Sequence, residues 1–151
     1  MRRLSVLLLL PLFACAPLLR RGAQASPPPS FVRSTAELRG SRMIEVREGL
    51  AKADAMKLVS EALGERYVVE VTDPVAGFTM TAWRASMSRD GVPDLRYRNR
   101  LVARFQGDEW RRLQIRSEAN WAHGDEWDIG YDVAQLDTAS RSLREKLSPK
   151  P

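Results

Sequence analysis

From Leu95 to Phe105 the chain keeps a two-residue period in which Leu95, Tyr97, Leu101, Ala103 and Phe105 alternate with Arg96, Arg98, Arg100 and Arg104. Successive side chains of an extended strand point to opposite faces, so this period predicts a strand with one apolar and one cationic face. A sheet built on it buries the first face and leaves the second wet. Neighbouring segments repeat the pattern. Tyr67, Val69 and Val71 alternate with Val68, Glu70 and Thr72 and predict a strand ended by Asp73-Pro74. Phe78, Met80 and Ala82, alternating with Thr79, Thr81 and Trp83, predict a second, and Trp110 to Ser117 the last, with Leu113 and Ile115 inward. Met43 to Val46 suits a short edge strand.

Two stretches change to a helical period. Between Leu50 and Leu63, Ala55, Met56, Val59, Ala62 and Leu63 recur at three- and four-residue spacings with Lys52, Asp54, Lys57 and Glu61 between them, and Gly64 is a suitable stop. From Val133 to Leu147, the residues Val133, Leu136, Ser140, Leu143 and Leu147 form one stripe. Strands bracketed by helices predict an α+β two-layer sandwich: a four-stranded antiparallel meander with both helices on one face. The domain spans 43–147, followed by a proline-containing tail, 148–151.

Hairpin register then bears on function. A two-residue turn at Gly107-Asp108 mixes apolar and charged residues on both faces, whereas a three-residue loop, Gly107 to Glu109, sets Ala103 opposite Leu113 and Leu101 opposite Ile115 and keeps one clean apolar face. The same register opposes Arg104 to Arg112 and Arg100 to Arg116, like-charge pairs that destabilise a sheet by about a few tenths of a kcal/mol each. Compensation comes from water and nearby carboxylates such as Glu70, or from an anionic partner held by Arg96, Arg98, Arg100, Arg104, Arg112 and Arg116: an anionic lipid or glycolipid headgroup, or an acidic envelope-protein surface.

The amino terminus supplies the address. Arg2 and Arg3 precede an apolar run from Leu4 to Phe13 that is too short to span a bilayer, the composition of an export signal. Leu12-Phe13-Ala14-Cys15 resembles the lipobox of bacterial lipoproteins, with a branched apolar residue three before the cysteine and a small one just before it. The resemblance implies a signal peptide over 1–14, acyl chains on Cys15 that attach the protein to a membrane, and a tether over 15–42 in which Pro27-Pro28-Pro29 favours an extended run. Ala16 lacks the aspartate that favours inner-membrane retention in enteric lipoproteins, so the resemblance points to the periplasmic face of the outer membrane. The alternative is cleavage after Ala23-Gln24-Ala25, which releases a soluble periplasmic protein. The element order, the lipobox and Gly130-Tyr131-Asp132 ahead of the last helix together resemble the small uncharacterised lipoproteins of proteobacteria.

Loss of Arg2 and Arg3 with the leader lowers the net charge from +5 to +3. A domain so near neutrality outside the cytoplasm argues against nucleic acid as a partner. With a single cysteine, which the lipobox commits to lipid, the chain forms no internal disulfide.

Two further groupings invite chemistry. His123, Asp125, Glu126, Asp128 and Asp132 gather the one histidine and four carboxylates within ten residues, the basis for an alternative reading as a periplasmic hydrolase or metal-dependent enzyme. Their spacing matches neither a calcium loop nor a zinc helix, and a polar loop before the last helix accounts for them without a site. Trp83, Trp110, Trp121 and Trp127 could stack on a sugar or simply pack in the core. No serine-nucleophile motif is present. The reading favoured is a non-catalytic, lipid-anchored envelope protein that binds a partner or supports assembly, with no cofactor, no metal and Cys15 as the lipid attachment site.

Overall fold

A computed structural model of the protein describes residues 26–35, 40–87 and 91–149. The chain runs β1 (Phe31–Arg33), β2 (Ser41–Glu45), α1 (Lys52–Gly64), β3 (Val69–Asp73), β4 (Phe78–Thr81), β5 (Arg84–Met87), β6 (Pro93–Gln106), β7 (Arg112–His123), β8 (Glu126–Asp132) and α2 (Val133–Leu147). The class is α+β, with two helices on one antiparallel sheet. The sheet has eight strands rather than four.

Strand length explains the difference. β6 and β7 are 14 and 12 residues long, which at roughly 3.4 Å per residue makes a hairpin of about 40–45 Å. No other strand is that long, so each flank of the hairpin takes two short strands end to end. β7 pairs β2 along Arg112 to Arg116 and β8 along Ala119 to His123. β6 pairs β4 around Val102 to Arg104 and β5 near Asn99 to Pro93. β1 and β3 complete the edges on β8 and β4. β1 and the start of β2 come from the stretch read as tether.

The core follows the β6 alternation. Leu101, Ala103, Phe105, Leu113, Ile115 and Ile44 form one buried layer with Ala55, Met56, Val59, Ala62 and Leu63 of α1 and Leu136, Ala139, Leu143 and Leu147 of α2. Both helices thus cover the face expected of them, within a residue or two of the expected bounds. Among the described residues, the core clusters use none before Phe31.

Four expectations are corrected. The β6–β7 loop spans five residues, 107–111, and sets Ala103 opposite Ile115 and Leu101 opposite Ser117. The two-residue shift keeps every side chain on its expected face but changes all its partners. It also removes the arginine oppositions: Arg104 meets Gln114, and Arg100 meets Glu118. The extra loop length turns Trp110 back at φ 53 to stack on Phe105, with ring centroids 4.6 Å apart and planes 6° from parallel. Trp110 is therefore a buried loop residue, not the start of a strand. Gly77, at φ 62, lies under the indole, and a Cβ there would sit 2.7 Å from Trp110 Cζ2.

Second, β4 is turned over. Thr79 and Thr81 face the core while Phe78 and Met80 share the other face with Arg104 and Val102. A bulge between Val69 and Val71 likewise leaves Val71 38% exposed. Third, Leu95 is 79% exposed, at the end of β6 beyond the helices. Fourth, the polar stretch after His123 is a hairpin leading into β8, turned at Gly124-Asp125.

Thr81 Oγ1 accepts the Leu101 N–H at 3.0 Å, which recovers part of the cost of burying a hydroxyl. Thr79 Oγ1 is buried without a hydrogen-bond partner among the described residues. Burying an unpaired hydroxyl costs about 1–3 kcal/mol. Thr79→Val keeps the shape and removes the hydroxyl, so it is expected to stabilise the protein by about 1 kcal/mol in urea titration; a destabilised variant would mean the hydroxyl has a partner.

Candidate functional site

The helices leave the second face of the sheet open. The register places Arg98, Arg100, Val102, Arg104 and Gln106 of β6 on it, beside Arg112, Gln114, Arg116, Glu118 and Asn120 of β7. Met43 and Glu45 of β2 and Trp127 and Ile129 of β8 extend it. Five of the six arginines expected to share a face therefore do so. Arg96 departs: it forms two hydrogen bonds to Asp94 at 2.9 and 3.0 Å, and its guanidinium lies over the Trp121 ring at 5.5 Å. Trp121 is opposite Tyr97, on the helix side. The Arg96 bond holds the Asp94 carboxyl below the usual carboxylate range.

Glu118 does what the like-charge register would have left to a partner. Its carboxylate accepts from Arg100 Nε at 2.7 Å and from Arg116 at 2.5 Å, bridging neighbouring strands. Arg98, Arg104 and Arg112 have no carboxylate partner among the described residues. Arg98 is instead held by aromatic faces, 4.7 Å from the Trp83 centroid and 4.9 Å from that of Trp127, and Arg100 lies 4.5 Å from Trp83. A guanidinium against an indole gains electrostatic attraction to the ring and loses rotamer freedom. Asn120, with its amide turned to satisfy both ends, accepts from Arg98 at 3.3 Å. Beside this cluster runs a groove of about 500 Å3 whose walls include Trp83, Arg116, Glu118, Asn120 and Ile129.

Sequence reasoning found the arginines and named the tryptophans as sugar-stacking or core residues, but missed that Trp83 and Trp127 organise the arginines. Trp83 follows β4 and Trp127 belongs to β8, so only the pairing of two hairpins brings them to Arg98. The one available signal was the two-residue spacing of Trp127 and Ile129, which puts both on one face of a strand.

The His123 grouping does not assemble. His123 is opposite Glu126 at the hairpin end, and Asp128 pairs with Arg33 beside a hollow of about 400 Å3 that also touches Trp121 and His123. Asp132 lies six residues beyond Glu126 along β8, roughly 20 Å away. Among the described residues no three His, Cys, Asp or Glu side chains are placed to hold a metal ion.

Asp132 belongs to a buried polar network. Its side chain caps α2 by accepting the Gln135 N–H at 2.9 Å and also accepts from Tyr97 Oη at 2.6 Å and Asn99 Nδ2 at 3.0 Å. Ser117 Oγ donates to Gln135 Oε1, and Gln135 Nε2 donates to Asn99 Oδ1. This network joins β6, β7 and β8 to the start of α2. Burial, then the bond to Asp132, pushes the Tyr97 hydroxyl well above its ordinary value near 10. It stays a donor at neutral pH, which suits a structural role. A folded-state pKa raised above the unfolded one gives stability that is fully present below the unfolded value and lost as pH rises through the folded one. Stability is therefore expected to fall steadily above about pH 10, and Tyr97→Phe should flatten that slope in denaturant titrations across pH 9–12. An unchanged slope would assign the alkaline loss to other groups, Tyr67 first, whose hydroxyl burial also raises.

Cys15 lies outside the described residues. Among those described, no helix is long and apolar enough to cross a membrane. No protein-family model matches the chain, and no curated protein matches it either.

Proposed function

We propose that the chain is a non-catalytic, lipid-anchored cell-envelope protein whose domain holds an anionic partner on the open face of its sheet, with the periplasmic face of the outer membrane as its site. Leu12, Ala14 and Cys15 support the anchor. The open face supports binding, and one observation carries it: Arg98, Arg100, Arg104, Arg112 and Arg116 share that face with Glu118 and Glu45 as the carboxylates set among them. A domain of low net charge that sets five arginines against two carboxylates on one sheet face attracts anions there without a basic protein overall. The tryptophan contacts support the same reading, because they hold Arg98 and Arg100 in place while Arg98 has no carboxylate partner among the described residues.

The anchor is tested by expression in a bacterium with labelled fatty acid. The parent chain should take up label and enter the detergent phase, and Cys15→Ser should do neither; equal labelling of both, or a mature amino terminus at Ser26, would end the lipoprotein reading. The face is tested by crosslinking the anchored protein in its envelope. Arg104→Glu with Arg112→Glu should lose the species that the parent captures, and an unchanged pattern in the folded variant would count against this surface.

A further inference from the structure

The open face has an apolar margin as well as cations. Trp127 and Ile129, alternate residues of β8, are 45% and 68% exposed on the same face as Arg98 and Arg100. Trp127 is the most exposed of the tryptophans, as Trp110 and Trp121 are buried and Trp83 is intermediate. Its indole is held from one side by the Arg98 guanidinium, which also contacts Trp83. An exposed indole beside an aliphatic side chain and fixed arginines is the combination found at a membrane interface, where the ring sits at headgroup depth and guanidinium groups meet lipid phosphates.

Chain connectivity is compatible with the same surface. β8 carries Trp127 and Ile129 and pairs with β1, which starts at Phe31. Cys15 is sixteen residues earlier, so even a fully extended chain places β1 within about 55 Å of the anchoring lipid. The anchor therefore leads into the same margin of the sheet that exposes these side chains.

We infer that the partner of the open face is the anionic phospholipid surface of the membrane itself. Trp127 and Ile129 enter the headgroup layer and Arg98, Arg104 and Arg112, the arginines of this face without a carboxylate partner among the described residues, meet its phosphates, so that the domain lies sheet-down on the bilayer with both helices turned away. The inference rests on the open face as the binding surface, but it does not need the lipid on Cys15.

The test uses the chain starting at Ser26, which keeps every described residue and lacks Cys15; a cooperative urea transition matching that of the full chain shows that it is folded. It should sediment with phosphatidylglycerol vesicles and not with phosphatidylcholine vesicles, and binding should weaken as salt rises, because exposed charges are screened over roughly 8 Å at physiological ionic strength. Trp127→Ser with Ile129→Ser should weaken binding tenfold or more with an unchanged urea midpoint. In the parent chain, lipids brominated near the headgroup should quench tryptophan fluorescence, a readout that stands even if the double variant fails to fold. Absence of vesicle binding, equal binding to neutral vesicles, no quenching, or full affinity in the folded double variant would overturn the inference. If vesicles fail while Arg104→Glu with Arg112→Glu still loses a crosslinked species, the face binds an acidic protein instead; if Cys15→Ser keeps its label, only the anchor reading falls.

Discussion

Leu101→Ala is expected to destabilise the protein by about 2–5 kcal/mol, the range for truncating a fully buried leucine. Leu101 is 0% exposed and sits mid-strand in the longest strand, within the layer that both helices cover. Its N–H also donates to Thr81 Oγ1, so the site lies where β4 meets β6 and has little freedom to collapse around a cavity. Val71→Ala provides the contrast. Sequence alternation places Val71 beside Leu101, yet the bulge after Val69 leaves it exposed, so its truncation should stay within about 0.5 kcal/mol. Urea titration of both variants checks the assignment, and a larger loss at Val71 than at Leu101 would mean that the β3–β4 register is wrong.

Asp132→Ala should cost a similar amount, about 3–5 kcal/mol, for a different reason. Losing a helix cap costs about 1 kcal/mol. The larger part comes from the donors left behind, because the Tyr97 hydroxyl and the Asn99 amide both point at the same carboxylate oxygen. A buried donor without an acceptor costs about 1–3 kcal/mol. Asp132→Asn keeps one acceptor oxygen and the cap geometry and should recover roughly half of the loss. If alanine and asparagine variants unfold at the same urea concentration, hydrogen bonding to the side chain is not what stabilises this junction, and helix charge is the better explanation.

Most of the architecture was legible because it depends on period. α1 and α2 lie within two residues of their expected bounds, and the inward set Leu101, Ala103, Phe105, Leu113 and Ile115 is buried as read. The illegible parts have local causes. β1 has three residues and β5 four, too few to show a period. β4 reads apolar at Phe78 and Met80, and its threonines are β-branched and small enough to fill the space beneath α1 once Thr81 is bonded to Leu101. Leu95 keeps the alternation but lies where no helix reaches it.

The candidate site divides in the same way. The arginine stripe was visible because it is the other half of the β6 alternation, and that part depends only on the backbone pleat. Its chemistry was not visible. Whether Arg100 faces Arg116 or Glu118 turns on a two-residue difference in one loop, and that loop length was decided by Trp110 folding back onto Phe105 and Gly77.

The sequence by itself determined the two helices and the long extended segments of the central hairpin, which face of that hairpin is buried and which carries the charge, because these follow from nearest-neighbour geometry along one chain. Only the tertiary structure decided which strands pair, with what register, and which aromatic and acidic groups meet each arginine. Those choices depend on residues such as Trp83, Glu118 and Trp127, which are distant in sequence and are brought together by packing energies summed over the whole sheet.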